Sequence, residues 1–217
     1  MPEFSRLEKI RRLAAFRQTD LTVVLENVHD PHNISAIIRT CDAVGIPEVY
    51  VLYSDTRLHD ARLWLGKHST AGTRKWVQVS LFRQIEDLLP LLKARYGTLL
   101  AATLSPVAQN VYDLDFTLPS ALVLGNERQG LTPELISACD VQFQIPLHGM
   151  AESLNVSVAA SVVLYEAFRQ RSMAGHYDDQ KPVDTWPLTK KQLLNHYLAI
   201  GMKKQKPPRK FYIDAKS

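Results

Sequence analysis

The chain has 217 residues, 46% of them hydrophobic, with a formal net charge of +4. That length and apolar content suit one α/β domain with a full core and small terminal additions. No apolar run approaches the roughly 20 residues of a membrane span, and the opening stretch MPEFSRLEKIRRLAAFRQ mixes charges at helical spacing without the apolar centre of a signal peptide. Cys41 and Cys139 are the only cysteines. Both sit in apolar, helix-like surroundings with no histidine at metal-ligand spacing, which reads as two reduced thiols in a cytoplasmic protein that holds no metal.

The charge is unevenly spread. Residues 190–217 carry Lys190, Lys191, Lys203, Lys204, Lys206, Arg209, Lys210 and Lys216 against Asp214 alone. Residues 1–17 carry Arg6, Lys9, Arg11, Arg12 and Arg17 against Glu3 and Glu8, so the body between the ends is net acidic. Basic ends on such a body suggest a polyanion held by the ends. The bland alternative is terminal charge that only aids solubility.

In chain order, residues 5–17 read as a helix with Leu7, Ile10, Leu13, Ala14 and Phe16 on a broad apolar side. LTVVLENV (21–28) reads as a buried strand. NISAIIRTCDAVG (33–45) fits a helix, with Ile34, Ile37, Ile38, Cys41 and Val44 on one face and Gly45 at the C′ position. EVYVLY (48–53) and KWVQVSLF (75–82) are strands, and RQIEDLLPLLKARYG is a helix that Pro90 kinks or shortens. TLLAATL (98–104), ALVLG (121–125) and VQFQIP (141–146) add three strands. Between the last two, GLTPELISACD holds a helix capped by Thr132 with Pro133 at its first position. Short apolar strands alternating with helices predict an α/β fold, its mostly parallel sheet covered on both faces. After a polar connector, TKKQLLNHYLAIG is a helix with a capping box of Thr189 and Gln192 and with Gly201 at its end. A basic tail, flexible when unbound, follows. The organisation expected is a basic N-terminal helix (1–18), a central domain (19–177) and a basic C-terminal extension (178–217).

Three segments have the composition of a site. At the start of the second helix, Asn33 is placed to cap, and Arg39 lies off the apolar stripe; taken alone, an ordinary cap and an exposed arginine paired with Asp42 are the simpler explanation. GNERQGLTPE (125–134) puts Gly125, Asn126, Glu127 and Gly130 at a strand end, where open α/β sheets bind ligands. IPLHGMAESLNVSVAAS (145–161) leaves a strand through Pro146, crosses a loop and enters a helix with a small-residue side at Ser157, Ala160 and Ser161. That helix is apolar nearly all round until Glu166, which predicts burial, including in a subunit interface. Ser153 there can be a plain N-cap, whereas Asn155, inside the first turn, has low helix propensity and needs partners if buried. The chain has no G-x-G-x-x-G after a strand, no complete P-loop, no G-x-S-x-G and no H-E-x-x-H.

Taken together and in this order, Asn33 with Arg39, GNERQG, and IPLHGMAESLNVSVAAS resemble the three motifs of the SpoU branch of the SPOUT RNA 2′-O-methyltransferases. The likeness covers about residues 20–173. Within that branch, DLTVVLENVHDPHNISAIIRTCDAVG and LYEAFRQR look most like the members that methylate a D-loop guanosine (guanosine 18) of tRNA. The resemblance implies a SPOUT-type α/β fold with a deep C-terminal trefoil knot, which general topology rules would not have suggested. It implies a homodimer, S-adenosylmethionine as methyl donor and tRNA as substrate. It places the donor against loop backbone at Ala102, Gly125, Asn126, Ile145, Leu147 and Leu154, although members often carry threonine where Ala102 stands. It makes Arg39 the presumed catalytic residue, with Asn33 helping to place it, Ser153 and Asn155 positioning the ribose, and Glu127 orienting the network. Arg11, Arg12 and Arg17, with Arg169 and Arg171 and with Lys203 and Lys204 of the tail, are the residues expected to track RNA phosphates. Two alternatives remain on the sequence: the same chemistry on ribosomal RNA, and a non-catalytic RNA-binding protein on the same fold.

Overall fold

A computed structural model describes residues 5–58, 73–202 and 212–214. Eight parallel strands form one sheet: β1 (Leu21–Glu26), β2 (Glu48–Leu52), β3 (Gln78–Phe82), β4 (Thr98–Ala102), β5 (Gln109–Asn110), β6 (Ser120–Leu124), β7 (Val141–Gln144) and β8 (Tyr212–Asp214). Their spatial order is β5-β7-β4-β6-β1-β2-β3-β8. The helices are α1 (Arg6–Ala15), α2 (Pro31–Ala43), α3 (Ile85–Arg95), α4 (Pro133–Ala138), α5 (Val156–Met173) and α6 (Leu188–Met202).

The continuous apolar runs in the strands follow from burial on both faces, which a parallel sheet requires. All six residues of β1 are buried. Leu21, Val23 and Leu25 join Ile34 and Ile38 of α2 and Val163 and Leu164 of α5 in one core layer. Val24, on the opposite face, joins Leu88 and Leu92 of α3 and Leu135 of α4. Pro90 sits inside α3, which runs through it to Arg95 without being cut short. Residues Thr73–Lys75 form a 3₁₀ turn, so the third strand starts at Gln78 rather than at the predicted position 75. The polar pair Gln109–Asn110 and the C-terminal strand carry no apolar run, and sequence pattern gave neither as a strand. Tyr212–Asp214 lines up beside Val79–Leu81 at the sheet edge, and the remainder of the tail expected to be flexible lies outside the described residues.

The terminal helices pack on each other. Ile10, Ala14, Ala15, Trp186 and Tyr197 form a satellite core. Gly201 does not end α6, which runs to Met202; a Cβ there would run into Ile10, so its role is close helix approach. The helix begins at Leu188, so Thr189 lies inside it rather than capping it with Gln192, and its hydroxyl lies 3.3 Å from that of Thr19.

Two arginines expected to reach RNA are instead enclosed. Arg17 has 0% exposure and donates to Asp42 (2.6 Å), to the Tyr197 hydroxyl (3.0 Å) and to the Trp76 carbonyl (2.8 Å). Arg171, also at 0%, donates to Asp20 (2.6 Å), Gln18 (3.0 Å) and the carbonyls of Phe116 and Leu118. A guanidinium has five fixed donors, and each of these two is spent on the protein itself. Neither side chain is available to a phosphate. Removing the buried guanidinium leaves Gln18 and the Phe116 and Leu118 carbonyls without their donor, so Arg171→Ala should cost about 3 kcal/mol, read as a lowered denaturation midpoint.

Both cysteines are free thiols; Cys41 is buried and Cys139 half-buried. Burial pushes the Cys41 thiol up, and burial, with Asp140 and Glu26 nearby, pushes that of Cys139 up to about 12. At about pH 8 both should resist alkylation in the folded protein and react only after denaturation, measurable by mass spectrometry.

Candidate active site

The carboxyl ends of β4, β6 and β7 open on one cavity of about 500 Å³. Its walls come from three connections. After β4, Thr103 is pinned by its N–H to the Phe143 carbonyl (2.9 Å) and by its hydroxyl to Gln142 (3.2 Å). After β6, the chain makes a tight turn closed by an Asn126–Gly130 bridge. The Asn126 side-chain oxygen accepts the N–H groups of Arg128 (3.0 Å) and Gln129 (2.8 Å), an Asx-type turn. Gly125 is required there because a Cβ would occupy the place of the Gly130 backbone. As expected, Thr132 then caps α4, with Pro133 in its first turn. After β7, residues 145–154 cross to α5.

Asn155 is the N-cap of α5, not a first-turn residue. Its side-chain oxygen accepts from the Ser157 N–H (2.9 Å) and hydroxyl (2.6 Å). Its amide is thereby turned toward the mouth of the site, donating to Asn33 (3.1 Å) and Glu127 (3.3 Å). Asp30, not Asn33, caps α2, and that frees Asn33 to donate to the same Glu127 oxygen at 2.6 Å. Two amides on one carboxylate oxygen are charge-assisted bonds, stronger than neutral ones.

All six positions expected to hold a cofactor line the cavity: Ala102, Gly125, Asn126, Ile145, Leu147 and Leu154. Glu127 and Ser153 line it as well. Among the described residues Ser153 makes no side-chain bond, so its hydroxyl is open to a ligand. Arg39 is brought neither to the cavity nor to Asn33. It stands exposed on α2 without a partner among the described residues, and Asp42 pairs with Arg17 instead. Arg128 and Gln129 also line the cavity, and sequence reasoning passed over them. The signal available was the asparagine opening a Gly-bounded turn, which forces the residues after it toward the ligand side.

Of the remaining RNA candidates, Arg11 is exposed. Arg12 pairs with Asp179 at 3.0 Å. Arg169 is clamped by both oxygens of Glu166 (2.9 and 2.7 Å), and that bond holds the Glu166 carboxyl below the usual carboxylate range. Lys203 and Lys204 lie outside the described residues.

A parallel α/β sheet with a ligand-sized cavity at its strand ends, walled by three loops, defines a class of binding and transfer enzymes. The particular family follows from comparison. Residues 20–165 match the SpoU rRNA Methylase family model, and the chain belongs to that family. It is 43% identical over 173 residues to the tRNA (guanosine(18)-2′-O)-methyltransferase of Escherichia coli (strain K12), covering 80% of this chain and 73% of that protein. The crystal structure of the A. aeolicus TrmH/SpoU tRNA modifying enzyme superposes with a TM-score of 0.78 at 35% identity, over 92% of this chain and 98% of that one. The SpoU methyltransferase AviRb from Streptomyces viridochromogenes, in complex with AdoMet, superposes with a TM-score of 0.62 at 30% identity, over 72% and 62%.

The two roles of Asn155 can be separated. Asn155→Ser keeps a capping oxygen but removes the amide donor, so stability should stay within about 0.5 kcal/mol of the parent. Methyl transfer should nevertheless fall by about tenfold or more, since the Glu127 oxygen loses a fixed donor. Calorimetric unfolding and a turnover assay check the two halves.

Proposed function

We propose that this chain, as a cytoplasmic homodimer, methylates the ribose 2′-hydroxyl of guanosine 18 in the tRNA D-loop, with S-adenosylmethionine as donor. The observation that carries the reading is the meeting of Asn33 and Asn155 on Glu127, which lines the cavity. A volume of about 500 Å³ is in the range of small-molecule sites. Its lining fits the donor: apolar side chains such as Leu124, Leu131 and Phe143 suit an adenine face, and strand-end backbone groups suit its edge and ribose. Ala102, Gly125, Asn126, Ile145, Leu147 and Leu154 would hold it. When bound, it supplies an intrinsically electrophilic sulfonium methyl, and no metal enters the scheme.

The protein's task is then to place the attacking hydroxyl in line. Ser153, on the cavity wall, and Asn155 position the ribose, and Glu127 fixes the two asparagines. Arg39 donates hydrogen bonds and does not accept protons. Arg39 does not line the cavity of its own chain, so its role, stabilising the developing alkoxide and a neighbouring phosphate rather than serving as a base, requires the second copy of the homodimer to bring the two together. Arg11 of α1 is the exposed candidate for a phosphate, Arg12 would have to exchange Asp179 for one, and Lys203 and Lys204, outside the described residues, complete the proposed RNA contacts. These contacts position RNA and make affinity salt-dependent without selecting a base.

The dimer reading rests on the outer side of α2 and α5. The two helices are joined by Thr40 and Ser161 (3.1 Å), and Val158 (49% exposed) and Tyr165 (54%) stand outward. Arg39 is exposed on α2, one residue before Thr40. The connections after β6 and β7 are where the trefoil knot of the family would lie.

Transfer of labelled methyl from S-adenosylmethionine to unmodified tRNA and, in parallel, to ribosomal RNA tests the proposal. A single 2′-O-methylguanosine in the D-loop is the expected product; label confined to ribosomal RNA would keep the chemistry and move the target. Arg39→Ala should lower turnover at least about a hundredfold while leaving tRNA binding in place, and retained turnover would remove Arg39 from the mechanism. Replacing Lys203 and Lys204 with glutamine should flatten the salt dependence of tRNA binding by about one to two charges.

A further inference from the structure

Glu26 closes β1 with a carboxylate that has 0% exposure. It pairs with no cation among the described residues. Its charge is met by three donors. The Thr132 N–H reaches one oxygen at 2.8 Å, and the hydroxyls of Thr132 and Ser54 reach the other, each at 2.8 Å. The Thr132 hydroxyl in turn accepts the Leu135 N–H at 3.3 Å, so it caps α4 while it donates to Glu26. The Ser54 hydroxyl accepts from Asn27 (2.9 Å), whose oxygen takes the Asp55 N–H (3.0 Å). Asn27 holds φ at +55°, which turns the chain sharply at the end of β1 and leaves Glu26 pointing at α4.

This network ties the end of β1 to the residues just after β2 and to the start of α4. Its consequence falls on residues 125–131, which line the cavity between two fixed points. One is the Gly125–Gly130 contact at the exit from β6. The other is Thr132, and what holds Thr132 is Glu26. We infer that Glu26 is a positioning residue for methyl-donor binding, acting through Thr132 to hold the 125–131 wall at its working distance from the connections after β4 and β7. The inference rests on the proposed function of the cavity. It separates donor affinity from turnover, because Glu127 is held independently by Asn33 and Asn155.

Glu26→Gln is nearly the same shape, but its amide must aim N–H groups either at the Thr132 N–H or at two hydroxyls that now donate. Thr132→Val removes the linking hydroxyl from the other side, and Thr132→Ser keeps it. Calorimetric titration with S-adenosylmethionine, without RNA, should show affinity reduced about tenfold in Glu26→Gln and in Thr132→Val, the loss of a hydrogen bond to a charged group, with Thr132→Ser near the parent. The double variant Glu26→Gln/Thr132→Val should be about as weak as either single one, because both cut the same link. In turnover, the KM for the donor should rise by the same factor, with kcat at saturation and tRNA affinity close to the parent. Folded Glu26→Gln with the parent's affinity would overturn the inference. So would a Glu26→Gln chain that fails to fold beside a Thr132→Val chain that binds as the parent does. If the unaltered protein does not bind the donor, the reading of the cavity falls and this inference with it. If the parent binds and the variants match it, only the inference falls.

Discussion

One oxygen of Glu127 accepts hydrogen bonds from the amides of Asn33 and Asn155. Asn33 and Glu127 are 94 residues apart, and Asn33 and Asn155 are 122 apart. Three connections must therefore end within a few ångströms of one another. A parallel sheet achieves this because all its strands finish on one edge. With β6 seated between β1 and β4, and β7 beyond β4, the loop carrying Glu127 lies between the start of α2 and the start of α5. The helix starts are then set by caps, Asp30 for α2 and Asn155 for α5. The caps also decide the chemistry. Because Asp30 satisfies the first turn of α2, Asn33 has an amide to spare. Because Asn155 spends its oxygen on the cap, only its N–H₂ can face the carboxylate.

Much of this was legible in residue patterns. The central strands announce themselves as short apolar runs, and the α2 stripe of Ile34, Ile37, Ile38 and Cys41 is buried as its period requires. Thr132 and Pro133 mark the start of α4 because a cap and a proline leave local signatures. What stayed hidden was decided by contacts distant in sequence. No pattern says whether Asp30 or Asn33 wins the cap, since both residue types suit it. Gly201 resembles a helix end locally, and it is Ile10, far away in the chain, that makes it a packing contact. Gln109–Asn110 is polar and becomes a strand only because the edge of β7 offers it a partner.

The arginines carry the same lesson about charge. Arg11 and Arg17 look alike in a basic stretch, yet one faces solvent and the other is enclosed. Composition reports charge without position. Arg17 and Arg171 act on architecture instead. Through Tyr197, Arg17 joins the C-terminal helix to the base of α2, and Arg171 joins α5 to the segments just before β1 and β6. The basic balance of the ends is therefore partly internal wiring, and the surface left for a polyanion is narrower than the sequence implies.

Arg39 poses the opposite problem, since it is exposed and has no partner among the described residues. Two unit charges about 4 Å apart interact by only about 1 kcal/mol in bulk water, against about 4 kcal/mol in the environment near a protein surface. An arginine left in water therefore stabilises an alkoxide weakly. For the role proposed for it, the outward side of α2 must be covered when the reaction occurs. The neighbouring helix α5 presents Val158 and Tyr165, apolar surface that gains by being covered. The requirement for a drier Arg39 and the requirement to bury that apolar stripe point to the same event. Association of two copies on this face, with RNA laid across it, would meet both at once.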